Sequence, residues 1–227
     1  MSAKSFFPQF ALALALCAQA HTAPSATTPP PPPAGLCQST PFVSGAEGFA
    51  TFRIPAITVN GAGQLLAICE GRKHGGGDAG DIDTVFKISQ DGGKTWGKLG
   101  VIWDDGANTC GNPCVVRDAE AGVIWLLNTW NRGDDHEGQI INQTSKNTRR
   151  VFASSSKDDG RTWSKAREIT ADVKLTNWTW YATGPGAGIQ LQRGPHKGRL
   201  VIPCDHIVAG TKRYYSHFGD NLSSFWK

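Results

Sequence analysis

One short pattern occurs twice in this chain and limits its fold more than any other feature. Ser89-Gln90-Asp91-Gly92-Gly93-Lys94-Thr95-Trp96 and Ser156-Lys157-Asp158-Asp159-Gly160-Arg161-Thr162-Trp163 share the arrangement Ser-x-Asp-x-Gly-x-Thr-Trp, and each follows an apolar run. Asp can accept amide hydrogen bonds across a loop, Gly supplies a positive φ, and the Trp returns to pack beneath the next strand. A calcium loop is the competing reading of Asp-x-Gly, but each copy offers few oxygen ligands and no distal Glu. Self-similarity at this spacing fits one small sheet per repeat, arranged radially.

The segments around the repeats are short and rich in Val, Ile, Phe and Trp, with Gly, Asp and Asn between them. Strands are expected at Phe52–Val59, Leu65–Glu70, Ile82–Ser89, Val123–Trp130, Arg150–Ser156, Gly188–Leu191 and Leu200–Cys204, and no helix of three or more turns is expected. The chain therefore reads as all-β. With 8 Trp, 27 Gly and only 19% charged residues, it suits a turn-rich globular fold.

Residues 1–20 have the form of a secretory leader: Lys4, an apolar stretch from Phe6 to Ala18, then Ala18-Gln19-Ala20 as a cleavage signal. The stretch is too short to span a bilayer, so an exported product without stable membrane insertion is expected. Residues 21–35 form a Pro-rich spacer with consecutive prolines from Pro29 to Pro33. A propeller region is assigned to residues 36–227. The formal charge of +4 is mild and dispersed, which excludes nucleic acid as the expected partner. After the leader, Cys37, Cys69, Cys110, Cys114 and Cys204 are odd in number, so intramolecular pairing cannot use them all. Cys110-x-x-x-Cys114 has no second Cys/His pair at zinc-site spacing, and no metal is assigned. Asn142, Asn177 and Asn221 head Asn-x-Ser/Thr acceptor sites.

The two repeats resemble the Asp boxes of sialidases, which other propellers also carry. Phe52-Arg53-Ile54-Pro55 resembles the sialidase Phe/Tyr-Arg-Ile-Pro element, and it lies upstream of the first box as in that family. Glu70-Gly71-Arg72, Asp78-Ala79-Gly80-Asp81-Ile82-Asp83 and Trp178-Thr179-Trp180-Tyr181-Ala182-Thr183-Gly184-Pro185-Gly186 follow in the family's order. The resemblance implies a six-bladed β-propeller, of which this length supplies about three blades. It also implies an exo-α-sialidase that releases terminal sialic acids from glycoconjugates, with no metal and no organic cofactor. Its partners would be sialylated glycans.

Arg53 suits a place in such a site, because Arg meets a carboxylate with a planar two-donor fork. Strand alternation is expected to send Phe52 and Ile54 to one face and Arg53 to the other. Asp78, in a glycine-flanked loop, is the candidate acid/base, since glycosidic cleavage needs a proton for the leaving oxygen; Asp81 and Asp83 are its rivals. Arg72 resembles a second family arginine that contacts the sugar. Asn112 resembles a polar residue near the ring hydroxyls, and Glu137 an acid near the substrate. Trp178 and Trp180 are candidates for a pocket wall or for core. The family's C-terminal Tyr nucleophile, its Glu partner and two further arginines have no match here, so the chain is expected to be an incomplete propeller of doubtful activity. A non-catalytic sialoglycan-binding module is the alternative.

Overall fold

The computed structural model describes residues 38–219, which form β1 Thr51–Val59, β2 Leu65–Arg72, β3 Ile82–Ser89, β4 Gly100–Trp103, β5 Thr109–Asp118 and β6 Val123–Asn131. There follow α1 Glu137–Ile141, β7 Arg150–Ser156, β8 Arg167–Glu168, α2 Thr170–Val173, β9 Trp178–Thr183, β10 Ile189–Gln190, β11 Leu200–Val208 and β12 Tyr214–Gly219. The leader, the Pro-rich spacer, Cys37 and Asn221 lie outside the described residues. No helix among the described residues is long and apolar enough to cross a membrane.

Three blades of a β-propeller are laid out in sequence. The first is the antiparallel series β1-β2-β3-β4 and the second is β5-β6-β7-β8; one parallel pairing, Ile82 with Thr109, joins them. In the third, β11 pairs with β9 and β10 on one side and β12 on the other. An isolated bridge between Val115 and Ala187 links the second blade to the third. Among the described residues the sheets do not close into a ring.

The blades pack face to face, and alternation along β5 and β6 sets which side each residue serves. Val115, Ile124 and Leu126 pack with Ala56, Leu66 and Ile68 of the first blade. Their neighbours Cys114, Val116 and Leu127 turn the other way, to Tyr181, Leu200, Ile202 and Cys204 of the third. A strand buried on both faces has no polar alternation to read. Together with Gly111 and Pro113, which are poor strand formers, this is why no strand is expected at β5 from sequence. The short β4, and β9 and β12, also escaped the strand expectations, whereas β3 and β7 match theirs at both ends. No disulfide joins Cys69, Cys110, Cys114 or Cys204, all of them buried.

Both repeats occupy the turn after the third strand of a blade. In the first, Asp91 accepts from Thr95 N at 2.9 Å, Thr95 Oγ1 at 2.6 Å and Ser89 Oγ at 2.8 Å. Asp158 accepts from Thr162 N at 2.9 Å, Thr162 Oγ1 at 2.5 Å and Ser156 Oγ at 2.8 Å. With their carboxylate oxygens engaged by the loop itself, these aspartates act as turn residues. The second turn also welds two blades: Asp159 Oδ1 takes the Gly61 amide at 2.7 Å, and Asn60 Nδ2 donates to Asp159 O at 3.0 Å. A Cβ on Gly160 would come within 2.8 Å of Leu66, so only glycine lets the turn sit this close. Trp163 packs on the same cluster as Leu66, as the repeat implies.

Candidate active site

A cavity of about 250 Å³ opens where all three blades converge, lined by Ile54, Glu70, Arg72, Asp78, Asn112, Glu137, Arg149, Trp180, Ala182, Asp205 and Tyr214. Arg53 stands beside it, with its side chain 45% exposed. The first strand supplies Arg53 and Ile54, but not by simple alternation. The β1–β2 register shifts between Arg53 and Ala56, and Ile54 has φ 55. This irregularity brings Ile54 into the cavity lining, correcting the expectation that it leaves Arg53 for the opposite face; bulges commonly re-aim side chains beside a site.

β2 ends in the charged centre of the site. Glu70 and Arg72 are two residues apart and share a face, with Arg72 Nη2 2.5 Å and Nε 2.9 Å from Glu70 Oε2. Both side chains are buried. The remaining face of the guanidinium is wrapped by the glycine loop: Arg72 Nη1 donates to Gly76 O and Gly77 O, each at 2.7 Å, and lies 2.8 Å from Asp78 Oδ1. Arg53 Nη1 lies 2.7 Å from the same Asp78 oxygen and donates to Gly76 O at 3.2 Å. Asp78 therefore rests between two guanidiniums while staying 62% exposed.

The rival acids sit elsewhere. Asp83 is buried in β3, 3.1 Å from Lys73 Nζ, and burial pushes its carboxyl up to about 6. Asp81 lies 3.6 Å from the same ammonium. Neither lines the cavity.

Asn112 occupies a bulge of β5 between Gly111 and Cys114, at φ 50, a conformation Asn tolerates better than most residues. Its amide donates to Glu70 Oε1 at 2.8 Å, an approach that requires glycine next door, since a Cβ on Gly111 would lie 2.5 Å from that oxygen. Its side-chain oxygen accepts from Thr129 Oγ1 at 3.1 Å and from the Arg149 guanidinium. Asn112 thus lines the cavity and also fastens it.

Arg149, at the entry to β7, is the residue most central to the site that sequence reasoning passed over. It donates to Asn131, to Asn112 and to Tyr181 O, and its guanidinium lies 4.2 Å from the Trp180 ring centre. Burial lowers it to about 10, while Glu70, Glu137, Asp205 and Asp78 pull the other way. Its neighbours Asn147, Thr148 and Arg150 form no motif; only its position immediately ahead of a strand hinted at a role.

Glu137 opens α1, and its Oε1 accepts the hydroxyl of Tyr214 from the first residue of β12. The loop before it is fixed by Asp135, which takes the amides of Lys146 and Asn147 at 2.8 Å each. Desolvation, then the Glu137 contact, hold the Tyr214 phenol well above its usual range. Asp205, on β11, completes the lining. Burial raises its carboxyl, against the pull of Arg149, and its buried Oδ1 has no hydrogen-bond partner. Trp180 is a wall of the cavity; Trp178 is not, and stacks instead on His206.

The arrangement can grip an anion at its mouth, present a carboxyl group beside it, and accept hydroxyl hydrogens in its depth. Fold and site together define a bladed β protein with a charged pocket in which arginines and carboxylates meet. Residues 63–227 match the family model described as BNR repeat-like domain, and the chain belongs to that family. An exo-alpha-sialidase from Aspergillus fumigatus is 36% identical over 173 residues, covering 69% of this chain and 41% of that protein. A sialidase from Micromonospora viridifaciens is 34% identical over 194 residues, covering 82% of this chain and 30% of that protein. Among solved structures, the Hadza microbial sialidase Hz136 superposes with a TM-score of 0.69 at 26% identity, covering 79% of this chain and 37% of that one. The chain thus spans less than half the length of these relatives.

Proposed function

We propose that this chain carries a share of an exo-α-sialidase active site, which binds a terminal sialic acid of a glycoprotein, glycolipid or oligosaccharide and cleaves its glycosidic bond with retention. The observation that carries this reading is the convergence of Arg53 and Arg72 on one oxygen of Asp78 at the cavity mouth. Arg53 is the exposed, exchangeable member of the trio, whereas Arg72 is locked by Glu70 and two loop carbonyls.

A sialic acid carboxylate arriving at Arg53 competes with Asp78 for that guanidinium. Asp78, on a loop with Gly75 at φ 146, is thereby freed from Arg53, takes up a proton from water, turns toward the leaving-group oxygen and delivers that proton to it. Asn112 and Arg149 face the sugar ring, and the unpartnered Asp205 oxygen is placed to accept a hydroxyl hydrogen. The leader at residues 1–20 supports an exported product.

The test is hydrolysis of a fluorogenic sialoside by the protein and its Asp78→Ala variant, with a sialoside-binding measurement on both. Turnover reduced about 100-fold or more, with binding retained, is expected for loss of a general acid. Undiminished turnover in Asp78→Ala removes the residue from the mechanism. Sialoside binding without turnover in a protein that joins this chain to the remaining blades of a sialidase propeller would point instead to a glycan-binding module.

A further inference from the structure

Outside the cavity, the third blade carries a second cluster of chemically capable side chains. His206 of β11 and His217 of β12 meet with their Nδ1 atoms 3.0 Å apart. Their strands run antiparallel, with Cys204 opposite His217 and Tyr215 opposite His206, so both imidazoles occupy one face of the sheet. Trp178 stacks flat on His206, ring centres 3.6 Å apart at 15°, and Tyr215 lies parallel to it at 5.5 Å. His206 is thereby clamped with only 8% of its surface exposed.

We infer that His206 and His217 form a bidentate site for a late divalent transition-metal ion such as Cu²⁺ or Zn²⁺, unconnected with the sugar chemistry. Two imidazole nitrogens bound tetrahedrally at about 2.0–2.1 Å from one metal stand about 3.3 Å apart, so the observed pair needs to open by a few tenths of an ångström, with both rings pivoting until their lone pairs converge on the ion. Imidazole suits these metals, and a bite set by two hydrogen-bonded strands is already organised before binding. Neutral imidazole is the common form near neutral pH, so its nitrogen lone pair is open to a metal. The one hydrogen shared between the Nδ1 atoms moves to Nε2 of its own ring, leaving both Nδ1 atoms as donors to the metal with no net proton lost. Among the described residues no third ligating side chain completes a cluster, so water fills the other positions. The ion would tie β12, whose first residue is Tyr214, to β11.

The test titrates Cu²⁺ and Zn²⁺ into the full chain by calorimetry and by Trp fluorescence. Saturable binding of one equivalent is expected, with Cu²⁺ quenching the part of the emission that comes from Trp178, which sits on a ligand ring. His217→Ala, at a strand face that is partly open, is expected to weaken both metals at least tenfold while its circular dichroism and metal-free melting stay near those of the parent. Trp178→Phe is expected to keep the calorimetric binding and lose the quench. A combined His74→Ala, His136→Ala and His196→Ala variant is expected to bind unchanged. Absence of saturable binding in the parent, equal affinity in folded His217→Ala, or loss of binding in the triple variant each overturns the inference.

Discussion

Glu70 and Arg72 lie two positions apart on β2 and form a buried ion pair, Nη2 to Oε2 at 2.5 Å, whose second carboxylate oxygen takes the amide of Asn112 from the neighbouring blade. This carboxylate connects the first blade to the bulge of β5, so it positions both Arg72 and Asn112. Removing Glu70 leaves the buried Arg72 charge with only the exposed Asp78 carboxylate and two loop carbonyls, and it orphans the Asn112 amide.

Glu70→Ala is therefore expected to destabilise the fold by about 3–5 kcal/mol. The check is chemical denaturation of the variant against the parent. A change below about 1 kcal/mol would mean that the Arg72 charge finds solvent or another partner.

Arg53 is exposed and bonded only to Asp78 and to Gly76 O, so its replacement leaves no buried group unpaired. Arg53→Ala is expected to leave the melting temperature nearly unchanged and to weaken sialoside binding by about 10-fold or more, as for a lost charge-assisted hydrogen bond of about 1.5–3 kcal/mol. A ligand whose carboxylate is converted to a neutral amide should bind parent and variant alike. Equal losses for both ligands would show that Arg53 does not meet the carboxylate.

The repeat turns have their own acid signature. Hydrogen bonds from Thr162 hold the Asp158 carboxyl down at about 2, against an ordinary 3.8. A depressed carboxyl contributes stability that is present above its unfolded value and is lost as pH falls from about 3.8 through about 2. Because Asp158 sits in a surface turn and is partly exposed, screening limits the effect to about 1 kcal/mol or less. Asp158→Ala should be less stable than the parent at neutral pH, with the gap narrowing near pH 2. A gap independent of pH over that range would assign the turn's stability to packing alone.

Lys174 is buried beneath the strands that carry Arg149 and Trp180, with Nζ donating to Thr148 Oγ1 at 2.7 Å, Arg149 O at 2.8 Å and Thr179 O at 3.0 Å. Burial first, then the nearby Arg149, lower its ammonium to about 8 from an ordinary 10.5. Between those two values the unfolded chain holds a proton that the folded chain has released, so stability should rise with pH from about 8 to about 10.5 from this group. Lys174→Met should remove that rise. Parallel stability profiles of parent and variant across the window would count against the depressed ammonium.

What was legible in the sequence is what short range decides. The Asp boxes close through bonds spanning two to four residues, so Ser89, Asp91, Thr95 and their counterparts specify the turn wherever it sits. Arg53, Arg72 and Asp78 were named through the motifs that resemble the sialidase elements and through the glycine-flanked loop; β1, β2 and that loop bring them into contact within a single blade. The strands β3 and β7, adjacent to those turns, were legible for the same local reason.

Packing between blades decided the rest. The β1 irregularity that turns Ile54 inward, and the β5 bulge that holds Asn112 at positive φ, follow from pairings with partner strands and from Glu70, not from the local run of residues. Arg149, Asp205 and Tyr214 come from the second and third blades, and nothing near them in the chain marks their meeting with Glu137 or Trp180. The amino-acid order fixes turns and strand faces through bonds of a few residues' reach; the pocket forms only when whole sheets stack and set distant side chains against one another.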